Sequence, residues 1–206
     1  EMDWVSRLRA ALADGRMLVH AQRIAALAPG AEPRERMELL VRLRDVDGSL
    51  VPPMAFIPAA ERYGIMPAID RFVIRAAFEH LATLDPDRRA RTSLSVNLSG
   101  RTLSDERLLP FINELLEAMP LMPGEMCFEV TETTAVHNLS LTTRLMHELR
   151  ALGFQFALDD FGSGMSSLSY LKRLPVDYVK IDGSFIRNLL HDATDAAMVE
   201  AIARVA

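Results

Sequence analysis

The stretch FQFALDDFGSG, residues 154–164, carries the strongest indication of the fold that this chain adopts. Its first five residues are mostly apolar and predict a buried strand, and Asp159 and Asp160 follow at the carboxyl end of that strand. Two adjacent carboxylates beside a buried strand are unfavourable unless a cation neutralises them, and the glycines behind them permit an abrupt turn. From this stretch alone, a metal site and a strand end with Asp160 capping the next helix explain the pair equally well.

The composition is that of an ordinary globular domain. The chain has 206 residues, of which 50% are apolar and 25% charged, which is enough for one domain with a sizeable core. The net charge of −5 argues against binding of a nucleic acid polymer through a broad basic surface. The single Cys127 leaves no disulfide partner and is expected to be a small buried apolar residue. No apolar run reaches the roughly 20 residues that cross a bilayer. We therefore expect one cytoplasmic domain over residues 1–206, without membrane contact by this segment.

Apolar periodicity predicts strands that alternate with helices. The predicted strands are residues 17–22, 37–43, 93–98, 126–131, 154–158 and 178–181. The predicted helices are residues 2–12, 69–77, 108–119, 138–152 (with Gly153 as its stop) and 195–205. Such alternation is typical of a parallel sheet with helices outside, either an open doubly wound sheet or a closed barrel. No glycine-rich phosphate loop follows the first strand, which disfavours a dinucleotide-binding fold.

Five consecutive predicted strands carry a polar residue inside or at the end of an apolar run. These residues are Glu38, Asn97, Glu129, Asp159 with Asp160, and Lys180. In a parallel barrel, side chains at the carboxyl ends of the strands converge on one mouth, where active sites lie. The four strand-end oxygen donors Glu38, Asn97, Glu129 and Asp159 would then form a cluster suited to Mg²⁺ or Mn²⁺. Zinc is disfavoured because no cysteine or paired-histidine ligand pattern occurs.

The two-residue period of a strand adds a cation to this site. Glu38, Leu40 and Arg42 share one face of their strand, so a metal ligand and a guanidinium could bind the same phosphate ester. The alternative for Arg42 is a salt bridge to a neighbouring carboxylate.

Lys180 and Asp182 share a face of the last predicted strand. Lys180 could stabilise an attacking hydroxide or the charge that develops on the phosphorus oxygens. The alternative is an ion pair with Asp159 or Asp182, and the two interpretations are compatible.

An ordered set of motifs resembles the EAL domain family, which takes its name from a Glu-Ala-Leu-x-Arg signature. The matching segments are ELLVR at 38–42, FIPAAE at 56–61, VNLS at 96–99, EVTE at 129–132, DDFGSG at 159–164 with SSL at 166–168, and KID at 180–182. Each motif is weak by itself, but the set in this order is very specific. The resemblance extends from about residue 17 to residue 206.

The resemblance implies a modified TIM-type (β/α) barrel that hydrolyses the bacterial second messenger cyclic di-GMP to linear pGpG with Mg²⁺ or Mn²⁺. Carried over by motif, Glu38, Asn97, Glu129 and Asp159 would be ligands of one metal. Asp160, with Asp159 bridging, would serve a second metal. Glu38 and Asp160 are thus also expected to contribute to catalysis.

The same carry-over assigns the remaining residues. Lys180 would orient or activate the attacking water, and Glu132 would anchor the loop after Asp160, a loop that the family couples to dimerisation and metal occupancy. The positions expected to contact substrate are Gln22, Leu40, Arg42 and Asp182.

Departures from the family pattern limit what the resemblance implies. Leu39 replaces the alanine of the signature, and Met165 stands where an aromatic residue is common. The family continues with two further strand-helix units that carry a catalytic glutamate and a glutamine, so we expect a barrel whose C-terminal units are missing from this sequence. The expected partners are cyclic di-GMP, a second copy of the chain, and covalently linked upstream sensor or cyclase domains. The alternative function is an inactive cyclic di-GMP receptor or a dimerisation module.

Overall fold

Seven strands form one sheet in the parts of the chain that the structure, a computed structural model, describes: residues 2–26, 34–162 and 170–205. The strands are β1 (Met17–Ile24), β2 (Glu35–Arg44), β3 (Leu50–Val51), β4 (Thr92–Asn97), β5 (Met126–Thr131), β6 (Gln155–Phe161) and β7 (Tyr178–Ile181). Their order is β1-β2-β4-β5-β6-β7, with β3 paired to β2. The five strands from β2 to β7 in this order are parallel, whereas β1 and β3 are antiparallel to β2.

Helices lie before, between and after the strands along the chain. They are α1 (Met2–Ala13), α2 (Pro53–Arg62), α3 (Met66–Thr83), α4 (Pro86–Ala90), α5 (Gly100–Leu103), α6 (Leu108–Ala118), α7 (Glu132–His137), α8 (Leu139–Ala151), α9 (Gly183–Arg187) and α10 (Ala193–Val205). Gly153 has a φ of +97°, just after α8, which confirms its prediction as the helix stop. No helix within the described residues is long and apolar enough to cross a membrane.

The direction of β1 corrects the expectation of a wholly parallel sheet. Met17 lies opposite Leu43, and the antiparallel ladder runs to the pair Ile24 and Arg36. The connection between Ile24 and Glu35 is shorter than the dozen or so residues that a parallel crossover needs, so the second strand returns alongside the first. The other predicted strands are present at or near their predicted bounds, and β5 and β7 match them at both ends.

The core lies mainly between the outer face of the sheet and its helices. Phe128 and Phe156 of neighbouring strands are fully buried there, with Phe78 of α3 packed in the same cluster. A second apolar cluster joins α1, α2 and the start of α3 through Leu8, Phe56 and other buried residues. Because side chains alternate along a strand, packing of Phe128 against helices directs Glu129 to the opposite, inner face.

The sheet is strongly curved around this inner face. Three strands separate β2 from β7, which in a flat sheet would place them about 19 Å apart. The Nζ atom of Lys180 in β7 nevertheless lies 3.0 Å from Oε2 of Glu38 in β2. This contact requires the curvature of a barrel, so the predicted α/β, TIM-type architecture is confirmed, with polar side chains pointing inward.

Candidate metal centre and active site

The ammonium group of Lys180 lies among three carboxylates that come from three different strands. Its Nζ atom is 3.0 Å from Glu38 Oε2 and 3.2 Å from Asp159 Oδ1, and it donates a hydrogen bond to Glu129 Oε2. Asn97 joins the cluster because its Nδ2 donates a hydrogen bond of 2.8 Å to Glu38 Oε1. The structure therefore brings together five side chains that the sequence analysis singled out inside or at the ends of predicted strands.

The register of the parallel strands explains why these groups meet. Asn97 of β4 lies opposite Glu129 of β5, and Thr131, two residues further along β5, lies opposite Asp159 of β6. The carboxyl ends of neighbouring strands thus reach the same rim of the curved sheet. Oxygen atoms of Glu38, Glu129 and Asp159 all lie within 4.8 Å of one another, which is close enough to hold one metal ion.

Burial sets the electrostatics of this cluster. Burial of Glu129, together with the carboxylates of Glu38 and Asp159, raises its pKa to about 7 against the opposing charge of Lys180. Burial by itself would lower the pKa of Lys180. The attraction of the Glu129, Asp159 and Glu38 carboxylates is stronger than this effect, so the pKa of Lys180 is raised. One firmly protonated ammonium thus faces three carboxylates, so the rim has an excess of negative charge.

The donor set fits a hard divalent cation. Glu129 Oε1 is buried and has no hydrogen-bond partner among the described residues, which is costly for a carboxylate oxygen. The hydrogen bond from Asn97 Nδ2 to Glu38 fixes the amide so that Oδ1 is the atom that could act as a ligand. Carboxylate and amide oxygens are the ligands that Mg²⁺ and Mn²⁺ prefer. The side chains present are therefore suited to such an ion.

The backbone at Asp159 and Asp160 differs from its prediction. The strand continues through both aspartates to Phe161, so the alternative in which Asp159 ends the strand is wrong. The pairing with β7 is irregular between Leu158 and Phe161, and Asp160 takes a left-handed φ of +54° that is rare outside glycine. Asp159 reaches Lys180, whereas Asp160 is exposed and does not belong to the group of three close carboxylates.

Asp160 still belongs to the same electrostatic region. Partial desolvation of its carboxyl group raises the pKa of Asp160, although the residue as a whole is exposed, and the carboxylates of Asp159 and Asp182 add to the increase. A second metal served by Asp160 stays a prediction.

Glu132 contacts residues on both sides of the segment 163–169. It lies at the start of α7, where its Oε2 accepts a 3.1 Å hydrogen bond from the backbone N–H of Gly162 and its Oε1 accepts one from the hydroxyl of Tyr170. The segment itself, which includes Met165 and the second half of the predicted glycine turn, lies outside the described residues. The role of Glu132 as a loop anchor stays a prediction, and no sequence pattern had marked Tyr170.

Gln22, Leu40 and Arg42 lie on the antiparallel pair at the edge of the sheet. Gln22 is exposed and lies opposite Glu38, which places it near the carboxylate cluster. Arg42 donates a 2.8 Å hydrogen bond to the carbonyl oxygen of Val41, and it forms no ion pair with any carboxylate of the described residues. The salt-bridge alternative for Arg42 is therefore not supported, and its role in substrate binding stays a prediction.

Asp182 follows β7 and begins a helix instead of joining the Lys180 cluster. Its carboxylate accepts a 2.6 Å hydrogen bond from the backbone N–H of Ser184 and caps α9. Hydrogen bonds from Ser184 lower the pKa of Asp182. Of the two ion pairs considered for Lys180, the structure shows the one with Asp159 only.

Sequence reasoning missed one buried carboxylate beside the site. Asp70 of α3 is 4% exposed, and its Oδ2 accepts hydrogen bonds from the N–H of Ser99, at 2.9 Å, and from the hydroxyl of Thr102, at 2.5 Å. A signal was available, because Asp70 falls at helical spacing between the buried Met66 and Ile74.

The curved parallel sheet with this carboxylate rim is the architecture of the EAL domain family, and the chain belongs to that family. Residues 5–206 match the family's EAL domain. Among curated proteins, the chain is 42% identical over 199 residues to the cyclic di-GMP phosphodiesterase PdeB of Shewanella oneidensis, a match that covers 97% of this chain and 23% of PdeB. It is 35% identical over 206 residues to the cyclic di-GMP phosphodiesterase NbdA of Pseudomonas aeruginosa, covering 100% of this chain and 26% of NbdA. The chain thus spans about a quarter of the length of these relatives.

Solved structures give the same assignment of the fold. The FimX EAL domain from Pseudomonas aeruginosa bound to c-di-GMP has a TM-score of 0.88 and 31% identity, with coverage of 98% of this chain and 80% of that one. The c-di-GMP complex of the PaMucR phosphodiesterase has a TM-score of 0.88 and 32% identity, with coverage of 98% and 81%.

Proposed function

We propose that this domain is a metal-dependent phosphodiesterase that hydrolyses cyclic di-GMP to linear pGpG. The observation that carries the proposal is the set of Glu38, Glu129 and Asp159 around Lys180 at the carboxyl rim of the barrel. Support also comes from relatives of 42% and 35% identity that are named cyclic di-GMP phosphodiesterases. Mg²⁺ or Mn²⁺ is the ion that these oxygen donors suit.

In this proposal some of the rim residues bind metal ions and Lys180 acts on the attacking water. Glu38, Asn97, Glu129 and Asp159 would hold one ion, and Asp160 together with Asp159 would serve a second. Bound divalent ions would offset the negative charge of the phosphodiester and acidify a water for in-line attack. Lys180 orients that water and stabilises the charge that develops on the phosphoryl oxygens.

Residues at the edge of the rim would bind the substrate. Gln22, Leu40 and Arg42 flank Glu38 on the antiparallel strand pair, and Asp182 follows β7. The Arg42 guanidinium pairs with no described carboxylate, so a phosphate oxygen is a suitable partner. Glu132 anchors the segment after Gly162, which we expect to contribute to dimerisation. We further propose that the domain works within a longer signalling protein.

The decisive experiment follows pGpG after incubation of the protein with cyclic di-GMP and Mg²⁺ or Mn²⁺, with and without EDTA. We expect turnover that EDTA abolishes and that Glu38→Gln lowers by more than the roughly 10–100-fold typical for loss of a group that only supports a metal ligand. Glu125→Gln is the matched control, because Glu125 is a buried carboxylate at the opposite end of β5 that binds Arg89. Tight binding of cyclic di-GMP without any product would refute the enzyme and identify a receptor instead.

A further inference from the structure

Asp70 is a buried carboxylate that has no part in the proposed chemistry. Hydrogen bonds connect it to the residues that follow the predicted metal ligand Asn97. Asp70 lies on α3, outside the barrel, and its Oδ2 atom accepts two hydrogen bonds. The donors are the backbone N–H of Ser99 and the hydroxyl of Thr102, which belong to the short turn that follows β4. The carboxylate thus connects a core helix to the end of a strand that carries a predicted metal ligand.

The two residues after Asn97 are held from opposite sides. The N–H of Leu98 donates a 2.9 Å hydrogen bond to the carbonyl oxygen of Glu129, and the next N–H, that of Ser99, donates to Asp70. Ser99 in turn caps α5 through Thr102, whose N–H donates to Ser99 Oγ at 3.3 Å. The backbone at the end of β4 is therefore fixed by β5 on one side and by α3 on the other.

The side chain of Asn97 depends on this backbone anchor more than on packing. Asn97 is exposed, so close packing restricts its rotamer less than that of a core side chain. Its Nδ2 must nevertheless reach Glu38 Oε1 at 2.8 Å, and its Oδ1 must face the rim. A displacement of the β4 end would break this contact and leave the Glu38 carboxylate held by Lys180 without the support of Asn97.

We infer that Asp70 is a positioning residue of the metal centre, which acts through the Ser99–Thr102 turn on Asn97 and through Asn97 on Glu38. This inference rests on the proposed function, because Asp70 can position metal ligands only if Asn97 and Glu38 bind a metal. Groups that orient metal ligands in this way typically contribute 10–100-fold in metal affinity.

Three variants separate positioning from general stability. Asp70→Ala removes the oxygen that accepts both hydrogen bonds, whereas Asp70→Asn keeps an oxygen in the same place and should preserve them. Glu125→Gln alters a carboxylate that is equally buried and binds Arg89 at the other end of the barrel, so it controls for a loss of stability alone. Should Asp70→Ala fail to fold, Thr102→Val removes one of the two donors without shortening the side chain and provides the same test.

The first readout needs no metal. In the metal-free protein, the side-chain amide signals of Asn97, identified by their loss in Asn97→Asp, report its hydrogen bond to Glu38. We expect Asp70→Ala to shift these signals, and Asp70→Asn and Glu125→Gln to leave them in place. Unchanged Asn97 signals in Asp70→Ala would overturn the inference.

The second readout is the dissociation constant of Mn²⁺, measured by calorimetry. We expect an increase of about tenfold for Asp70→Ala, recovery in Asp70→Asn, and no further loss when Asp70→Ala is added to Asn97→Ala. Additive losses in the double variant would overturn the proposed route through Asn97. A wild-type protein that binds no Mn²⁺ would refute the proposed function, and the metal-free Asn97 signals would still decide whether Asp70 positions that side chain.

Discussion

Lys180 of β7 and Glu38 of β2 form an ion pair of 3.0 Å across the inside of the barrel, although β4, β5 and β6 lie between their strands. The same ammonium contacts Glu129 and Asp159, so a single cation joins three strands at one rim. Lys180 is 20% exposed and the Glu129 side chain is fully buried. The cation therefore has a structural effect in addition to its proposed catalytic role, because it reduces repulsion among the carboxylates.

Replacement of Lys180 by Met should lower the free energy of unfolding of the metal-free protein. Metal binding should then raise this free energy by more than it does in the wild type. Three carboxylates would lose their shared counter-ion, and loss of one partner from a buried ion pair costs about 3 kcal/mol. Urea unfolding without metal measures this loss in the free energy of unfolding. Arg144→Met is the control, because its ion pair with Glu148 is exposed and its loss should cost less than about 0.5 kcal/mol. Equal stability of the two variants would show that Lys180 does not hold the rim together.

Mn²⁺ should raise the melting temperature of the wild-type protein. A ligand at 100 times its dissociation constant stabilises the folded state by about 2.7 kcal/mol, which corresponds to an increase of about 5–10 °C for a domain of this size. Glu129→Gln should abolish the increase, because it replaces the carboxylate whose Oε1 has no hydrogen-bond partner among the described residues. Glu125→Gln should retain it. A full Mn²⁺ response in Glu129→Gln would contradict the assignment of Glu129 as a ligand.

The sequence predicted the rim better than it predicted the groups that support it. Glu38, Asn97, Glu129 and Lys180 could be found because each interrupts an apolar strand, and parallel strands must end at one edge. Asp70 was missed because its partners lie 29 and 32 residues away in the sequence, so only the packing of α3 against the β4 end reveals them. The extension of β6 through Asp160 depends on irregular pairing with β7, which no local pattern specifies.

The reversed direction of β1 did not follow from the predicted strands. Strands at 17–22 and 37–43 leave 14 residues between them, enough for a parallel crossover, whereas the observed strands extend further and leave only ten. The helix Pro53–Arg62 is absent from the helices predicted by apolar periodicity, although residues 56–61 match the family, and it contains Pro58, which is unfavourable inside a helix.

The stability of the metal-free protein should carry a pH-dependent contribution from Asp70. Burial raises the pKa of this carboxyl from 3.8 to about 6, despite the hydrogen bonds from Thr102 and Ser99. Between these two pH values the folded protein retains a proton that the unfolded chain has lost, so this contribution to stability falls as pH rises from about 4 to about 6. The change should be no larger than about 3 kcal/mol.

Comparison of wild-type protein with Asp70→Asn isolates this contribution, since other titrating groups are common to both. Urea unfolding at several pH values should show a steeper decline with rising pH for the wild type than for Asp70→Asn. Parallel stability curves for wild type and Asp70→Asn would mean that Asp70 titrates normally.

Gly162, two residues after Asp160, should tolerate no larger residue. Its φ is +94°, and a Cβ atom at this position would lie 3.0 Å from Phe185 Cε2 and 3.3 Å from Ile202 Cδ1. Gly162→Ala therefore adds a steric clash to the backbone strain, and we expect a loss of about 2–4 kcal/mol in the free energy of unfolding. Gly48→Ala is the matched control, because its φ is +85° but nothing lies within 4 Å of the added atom, so only about 1 kcal/mol should be lost. If both variants lose the same amount in urea unfolding, Phe185 and Ile202 move aside without cost, and the close packing of α9 and α10 against the end of β6 does not constrain this turn.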